Sequence, residues 1–382
     1  MEGTKGMNPP YKRALLGAAL SIVLLGAVPA VALAGGNPSC GSTLMNNTTL
    51  TGNLDCSGYT GTALYMGKNG VVLNLNGYTL FGHPDYDAID TDGYNKTIIR
   101  NGTVDGAYSI YVNGSADTIL RNLHVNADGA NSNDFGVYDY YSAHTTLQNV
   151  DVTGNPYYGM YFEYSAGALL TGSDIDGGEY GVYNYNTTRN TMQDNIARAD
   201  TGFYEEDSGG NRYINNRANN GEYGFDMECN GYGNVTMRGN RAHNNIYNGF
   251  YIYECYTGNN YYGSVIDGNR ANNNGDGGFY DYYSINTRYT NNVANSNDGY
   301  GMYFDYPGGM VIRWNTTNNN DGSGVEIYEN YSGDGYYNAK LYSQNTANDN
   351  GDYGHYADYP VYGTGNVADD NATQDCYQVS CV

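Results

Sequence analysis

The side chains best placed to do chemistry in this sequence are tyrosines and carboxylates that recur at a fixed distance from glycine. Tyr138, Tyr161, Tyr183, Tyr204, Tyr251, Tyr280, Tyr303 and Tyr356 each close a glycine, large residue, tyrosine phrase. Two residues further on stand Glu163, Glu206, Asp305 and Asp358, or a second tyrosine at 140, 185, 253 and 282. Gly224-Phe225-Asp226 and Gly324-Val325-Glu326 carry an acid in place of the tyrosine. Carboxylates accept hydrogen bonds from sugar hydroxyls, and flat rings suit the apolar faces of pyranoses. Tyr161, Glu163, Tyr204, Glu206, Tyr251, Tyr280, Tyr303 and Asp305 are therefore the candidate carbohydrate contacts. The same residues also read as ordinary strand tyrosines packed on one another.

Other chemistry is thinner. Asp281 and Asp305 lie one repeat apart and are the candidate acid and base if the chain is catalytic. Asp85, Asp87, Asp90 and Asp92 supply hard oxygen donors of the kind Ca²⁺ takes, without the D-x-D-x-D-G spacing. Calcium is the sole cofactor this reading admits, and no other is expected. His83, His124, His144, His243 and His355 form no close pair, which leaves copper without a motif. Arg217, Arg241 and Arg270 recur at repeat spacing as a solvated row. Sequons at Asn46, Asn186, Asn330 and Asn371 are expected in loops or near the ends, where a glycan can attach.

The elements that position these residues follow from composition. The 382 residues include 40 Asp and Glu against 17 Lys and Arg, a formal charge of −23. That balance repels nucleic acid and anionic membranes. With 54 Gly, 54 Asn and 45 Tyr, a helical protein is excluded and disorder disfavoured. Residues 1–34 read as a signal peptide: Lys5, Lys12 and Arg13, then an apolar run, then Ala32-Leu33-Ala34. The six cysteines, Cys40, Cys56, Cys229, Cys255, Cys376 and Cys381, fall in the remainder, and their even number suggests disulfides in an exported protein.

The glycine phrase repeats every 21 to 30 residues from Gly136 to Gly354. A second track runs in phase: Asn76, Asn101, Asn122, Asn149, then Asp174, then Asn195, Asn216, Asn240, Asn269, Asn292, Asn315, Asn345 and Asn366. Amides stacked at one turn of successive coils satisfy each other along the axis. Asn101 and Asn315, as ladder members, are expected to carry no sugar. Between the tracks the residues alternate with period two, so Met302 and Phe304 point inward while Tyr303 and Asp305 point outward. Asp139, Asn184, Glu205 and Asp281 occupy the second inward position, and early strand ends or bulges are expected to turn them out. The pattern predicts an all-β chain, a single right-handed parallel β-helix solenoid of about 13 coils. Residues 35–62 form its N-terminal cap, 63–370 the β-helix and 371–382 the C-terminal tail.

Cys40-Gly41 with Cys56, Val71-Val72-Leu73-Asn74-Leu75-Asn76-Gly77, and Thr97-Ile98-Ile99-Arg100-Asn101-Gly102-Thr103-Val104 resemble the start of exported right-handed parallel β-helix repeat proteins. That resemblance implies the pectate-lyase-like superfold, which hosts lyases, hydrolases, epimerases, metal-loading factors and plain surface proteins. The lyases' basic residue beside an acid cluster and the hydrolases' Gly-His-Gly set are not matched. Met227-Glu228-Cys229 and Tyr253-Glu254-Cys255 are equivalent stations one coil apart, which pairs Cys229 with Cys255. Cys40–Cys56 and Cys376–Cys381 then close the ends. The expected protein is secreted or cell-surface, non-catalytic, and structural, adhesive or glycan-binding. Its partners are extracellular polysaccharide or surface glycans and further copies of itself, with no membrane span after signal removal. The alternative is a polysaccharide lyase or glycoside hydrolase.

Overall fold

Gly, Asn and Asp at this density sustain short strands joined by left-handed turns and little else. The computed structural model describes residues 36–127, 134–257, 262–328 and 341–382, and these hold strands and turns without a helix. The strands bearing the glycine phrase stack in chain order into one parallel sheet of 15 strands, from Ser42–Leu44 to Gln374–Tyr377. Apart from a small hairpin of Tyr256–Thr257 with Tyr262–Gly263, the other strands line the remaining walls. The chain is a right-handed parallel β-solenoid of about 14 turns, as the repeat predicts. Residues 36–382 form one compact unit, and the expected signal peptide lies outside the described residues.

The glycine of the phrase is a steric requirement. A Cβ on Gly159 would sit 2.3 Å from the Ile175 side chain and 2.5 Å from the Gly181 carbonyl. The residue after it is the core rung: Val137, Met160, Val182, Phe203, Phe225, Phe250, Phe279 and Met302 pair in register and are buried. Phe203, Phe225, Phe250 and Phe279 stack with centroids 4.6–4.9 Å apart, one ring per coil.

Three expectations are corrected. Asp139, Asn184, Glu205 and Asp281 are not turned outward; all four are fully buried, in the column that also holds Phe162, Met227, Ile252 and Phe304. Buried polar partners make this tolerable. Ser165 donates to Asp139 at 2.7 Å, Tyr213 to Glu205 at 2.8 Å and Tyr289 to Asp281 at 2.6 Å, while Asn184 donates to the Tyr213 hydroxyl at 3.0 Å. Burial pushes Glu205 and Asp281 up to about 7 and Asp139 up to about 6.

The asparagine track is two tracks. From Asn195 to Asn366 it is a buried ladder, each amide donating to the next carbonyl oxygen at 3.0–3.2 Å. Its earlier rung is Ser173, not Asp174, because the Ser173 amide donates to Asn195. Asn76, Asn101, Asn122 and Asn149 belong one residue earlier, at the left-handed corner itself (φ between 50 and 59°). There Ile98–Asp105, Ile119–Asn126 and Thr146–Thr153 each bend as one strand. Asn101 is accordingly half-exposed rather than buried. A further buried ladder was missed. Asn245, Asn274, Asn297, Asn320, Asn350 and Asn371 hand on the same bond at 2.8–3.0 Å.

The third correction separates Asp281 from Asp305. Asp281 pairs with Phe304 and faces the core, whereas Asp305 pairs with Tyr282 and faces outward, so the two carboxylates share no site.

All three disulfides join the expected partners: Cys40–Cys56, Cys229–Cys255 and Cys376–Cys381. Non-reducing peptide mapping of the purified chain is expected to recover the Cys229–Cys255 linked fragment. An alkylatable thiol at either position would break the coil register.

Candidate functional site

The outer surface of the 15-stranded sheet carries three columns of side chains. The central one is the tyrosine of the phrase. Tyr111, Tyr138, Tyr161, Tyr183 and Tyr204 follow one another in register, and Tyr251, Tyr280 and Tyr303 continue after Asp226. Beside it run Glu163, Tyr185, Glu206, Glu228, Tyr253, Tyr282 and Asp305. A third column, not anticipated, stands before the glycine, or before Ser109 in the first of these coils: Tyr108, Phe135, Tyr158, Tyr180, Thr201 and Tyr223. Tyr158 lies against Tyr161, 4.8 Å between centroids, because the glycine and the core residue both turn inward between them. The signal was present as tyrosine directly before glycine in Tyr157-Tyr158-Gly159 and Glu179-Tyr180-Gly181.

The rings stack face on face. Tyr138 and Tyr161 are 4.8 Å apart and 3° from parallel, Tyr161 and Tyr183 are 4.9 Å and 12°, and Tyr280 and Tyr303 are 5.2 Å and 5°. Within Tyr138–Tyr161–Tyr183 and Tyr251–Tyr280–Tyr303 each ring covers its neighbour's face, whereas Tyr204 is tilted 46° from Tyr183. What points outward is a row of edges and hydroxyls. Tyr138 donates to Glu163, Tyr183 to Glu206, and Tyr204 to Glu228 at 3.2 Å. Burial, reinforced by these carboxylates, holds the three phenols well above their ordinary range, so they stay protonated donors.

The column is interrupted at Asp226, between Tyr204 and Tyr251. Its Oδ1 is buried without a hydrogen-bond partner, and burial plus the neighbouring Glu228 push its carboxyl well up. Burial raises Glu228 too, opposed by the bond from Tyr204. Tyr223 closes over the gap, edge-on to Tyr251 at 6.1 Å.

The acids proposed for calcium do not converge. Asp87 and Asp90 lie on one strand and face outward, with Ile89 buried between them, and Asp85 and Asp92 fall in the flanking turns. No group of three ligating side chains is placed to hold a metal ion among the described residues. Asp87 is pushed up to about 7 by burial and then by Asp90. Of the sequons, Asn46 is exposed and Asn186 half-buried at a left-handed corner (φ 52°). Asn371 ends the second amide ladder, donating to the Ala347 carbonyl at 2.9 Å and to Asp375 at 2.9 Å. Asn330 lies outside the described residues.

Two family models match parts of the chain: a right-handed beta helix region over residues 108–264, and a periplasmic copper-binding protein (NosD) model over residues 199–366. No curated protein matches. Among solved structures, the periplasmic alginate epimerase AlgG is similar over 88% of this chain and 84% of its own, at 13% identity and a TM-score of 0.51. A double mutant of the same epimerase gives 15% identity and 0.53 over the same shares. The A-module of an Azotobacter vinelandii mannuronan C-5 epimerase covers 90% of this chain and 88% of its own at 12% identity, with a TM-score of 0.43. At these identities the likeness is one of fold.

Proposed function

We propose that this right-handed parallel β-helix repeat protein is an exported, non-catalytic element of the cell surface or extracellular matrix. It engages polysaccharide through the outward tyrosine and carboxylate face. The observation that carries this reading is the row of phenol-to-carboxylate pairs, Tyr138–Glu163, Tyr183–Glu206 and Tyr204–Glu228, repeated along one side of a rigid rod. Each pair presents acceptor oxygens at coil spacing to the hydroxyls of a chain lying along the axis. An acidic surface with stacked rings favours neutral polysaccharide bound by hydrogen bonds over acidic chains. Three disulfides fit an oxidising location. No helix among the described residues is long and apolar enough to cross a membrane.

Copper, which the NosD family name brings with it, does not fit the residues present. All six cysteines are oxidised. His355 is buried, with Nδ1 2.5 Å from the Tyr342 hydroxyl and Nε2 3.1 Å from the Val367 carbonyl. Burial lowers it to about 4 and keeps it neutral.

The test is incubation with neutral and acidic polysaccharides, with and without Ca²⁺, reading both retention and new chain ends. Retention on a neutral glycan without turnover is expected, and Glu206→Gln with Glu228→Gln should weaken it at least tenfold. Turnover overturns the non-catalytic reading. One observation favours that second reading: Asp226, protonated and unpartnered, two residues from Glu228 on the same strand face, has the makings of an acid and base. Any turnover should then vanish in Asp226→Asn.

A further inference from the structure

Charge is sorted between the walls of this solenoid. The strands of the 15-stranded sheet contain no Lys or Arg. Ten strands of the other walls each carry one arginine. Three of these, Arg217, Arg241 and Arg270, are paired directly in register on successive coils, and all three are exposed. Like charges placed opposite one another destabilise a sheet. Arg198, on the preceding coil, is held by Asp174 and Asp176. Among the described residues no carboxylate lies within ion-pair reach of Arg217, Arg241 or Arg270. In a chain with 40 acids and 17 bases, three adjacent guanidinium groups are left without an acid.

The same three coils carry the complement. The coil that holds Arg217 begins with Thr201–Glu206, the coil of Arg241 with Tyr223–Glu228, and the coil of Arg270 with Phe250–Tyr253, followed at once by Glu254. Glu206 and Glu228 pair in register at the rim of the tyrosine sheet, and Glu254 follows the next rung, Tyr253. Both rows advance by one coil, about 4.8 Å per step. A second rod set parallel and at the same height therefore meets Arg217 and Arg241 with Glu206 and Glu228 at matched spacing, and Arg270 with Glu254, one residue further along at a left-handed corner (φ 49°).

We propose that Arg217, Arg241 and Arg270 dock on Glu206, Glu228 and Glu254 of a second copy of this chain, joining rods side by side. The contact is heterologous, so each added rod presents the same free row and assembly continues into a sheet or closes into a ring. The occupant is a second copy, and not another polyanion, because this chain carries matching acids on the same coils as the arginines.

Sedimentation velocity of the purified chain without glycan tests this independently of polysaccharide binding. At about 0.15 M salt, where the screening length is about 8 Å, the long-range repulsion of two acidic rods is damped and contacting pairs survive. Concentration-dependent assembly is expected there, and monomer at about 1 M, where the length is about 3 Å. The triple variant R217E/R241E/R270E should need at least tenfold more protein to assemble, and so should E206K/E228K/E254K. Mixing the two should restore assembly, since each then offers the row the other lacks. Circular dichroism and melting confirm that both variants fold. A single exposed-row variant, R241E, gives the same direction should the triple acid-side variant fail that check. Monomer throughout at 0.15 M, assembly indifferent to salt, or folded variants that assemble like the parent each overturn the proposal. So does retention of the row on a soluble polyanion while the chain stays monomeric.

Discussion

Asn292→Ala is expected to cost about 1–3 kcal/mol of stability, more than truncation of most surface side chains, because four buried groups each lose a bond and the Asn269 backbone amide loses its acceptor. The Asn292 amide nitrogen donates to the Ile266 carbonyl at 2.8 Å and to Asn315 Oδ1 at 3.0 Å. Its oxygen accepts from the Asn269 backbone amide at 2.9 Å and side-chain amide at 3.1 Å. All of this lies in the buried interior of a turn. An orphaned buried polar group costs about 1–3 kcal/mol. The damage should be local in origin and spread by coupling between neighbouring coils, as in other solenoids. Amide exchange should accelerate first at Asn269 and Asn315. Asn149→Ala, at an exposed corner of the outer track, should cost about 1 kcal/mol by comparison, from placing alanine at φ 51° and not from any buried group. Equal melting temperatures for the parent and Asn292→Ala would place that amide in solvent.

This contrast marks where the sequence was legible and where it was not. Period and parity were readable because glycine is forced by the Gly181 carbonyl and Ile175 pressing on position 159, and the forced residue recurs on successive coils from Gly136 to Gly354. The disulfide between Cys229 and Cys255 was readable because adjacent coils bring the two within reach, Cα to Cα 4.8 Å, although the strand register pairs Glu228 with Tyr253 and sets Cys255 one residue beyond the station expected for it. The ladder register slipped by one residue across Asp174. Asparagine serves equally as a left-handed corner, at 149, and as the buried amide after a corner, at 195, so residue type alone does not separate the two. The interior acids were misread because hydropathy treats a carboxylate as outward. Tyr213 and Tyr289, the partners that admit Glu205 and Asp281, lie eight residues downstream on another wall. Nothing local announces such a pair. The outward face of the tyrosine column was legible from the parity, and so was the packing of tyrosine on tyrosine, which the rings show at 4.8–5.2 Å with their hydroxyls left at the surface.

Those interior acids make the fold more stable in mild acid than in mild base. Glu205 and Asp281 are pushed up to about 7 and Asp139 up to about 6, each by burial first. Their ordinary values are 4.5 for Glu and 3.8 for Asp. The folded chain thus holds protons that the unfolded chain has released, and stability falls with rising pH wherever the native state binds more protons. The stabilisation is fully present below about pH 4 and is lost as pH rises through 7. The melting temperature should accordingly climb from pH 8 to pH 5.5. Glu205→Gln isolates one contributor. It keeps the shape and the acceptor for Tyr213, which donates at 2.8 Å, and it removes the need to bury a charge. Each unit of displacement is worth about 1.4 kcal/mol, so the variant should be stabilised on the order of 3 kcal/mol at pH 8 and by under about 1 kcal/mol at pH 5. Lower overall charge at acid pH also relieves repulsion across a −23 chain, and Glu179→Gln controls for that by removing one charge from an exposed turn. The comparison of the two variants in parallel melts across pH 5–8 is decisive. A Glu205→Gln profile that runs parallel to that of Glu179→Gln would mean that Glu205 reaches water and is ionised in the fold, and the Tyr213–Glu205–Asn184 network would then be open to solvent.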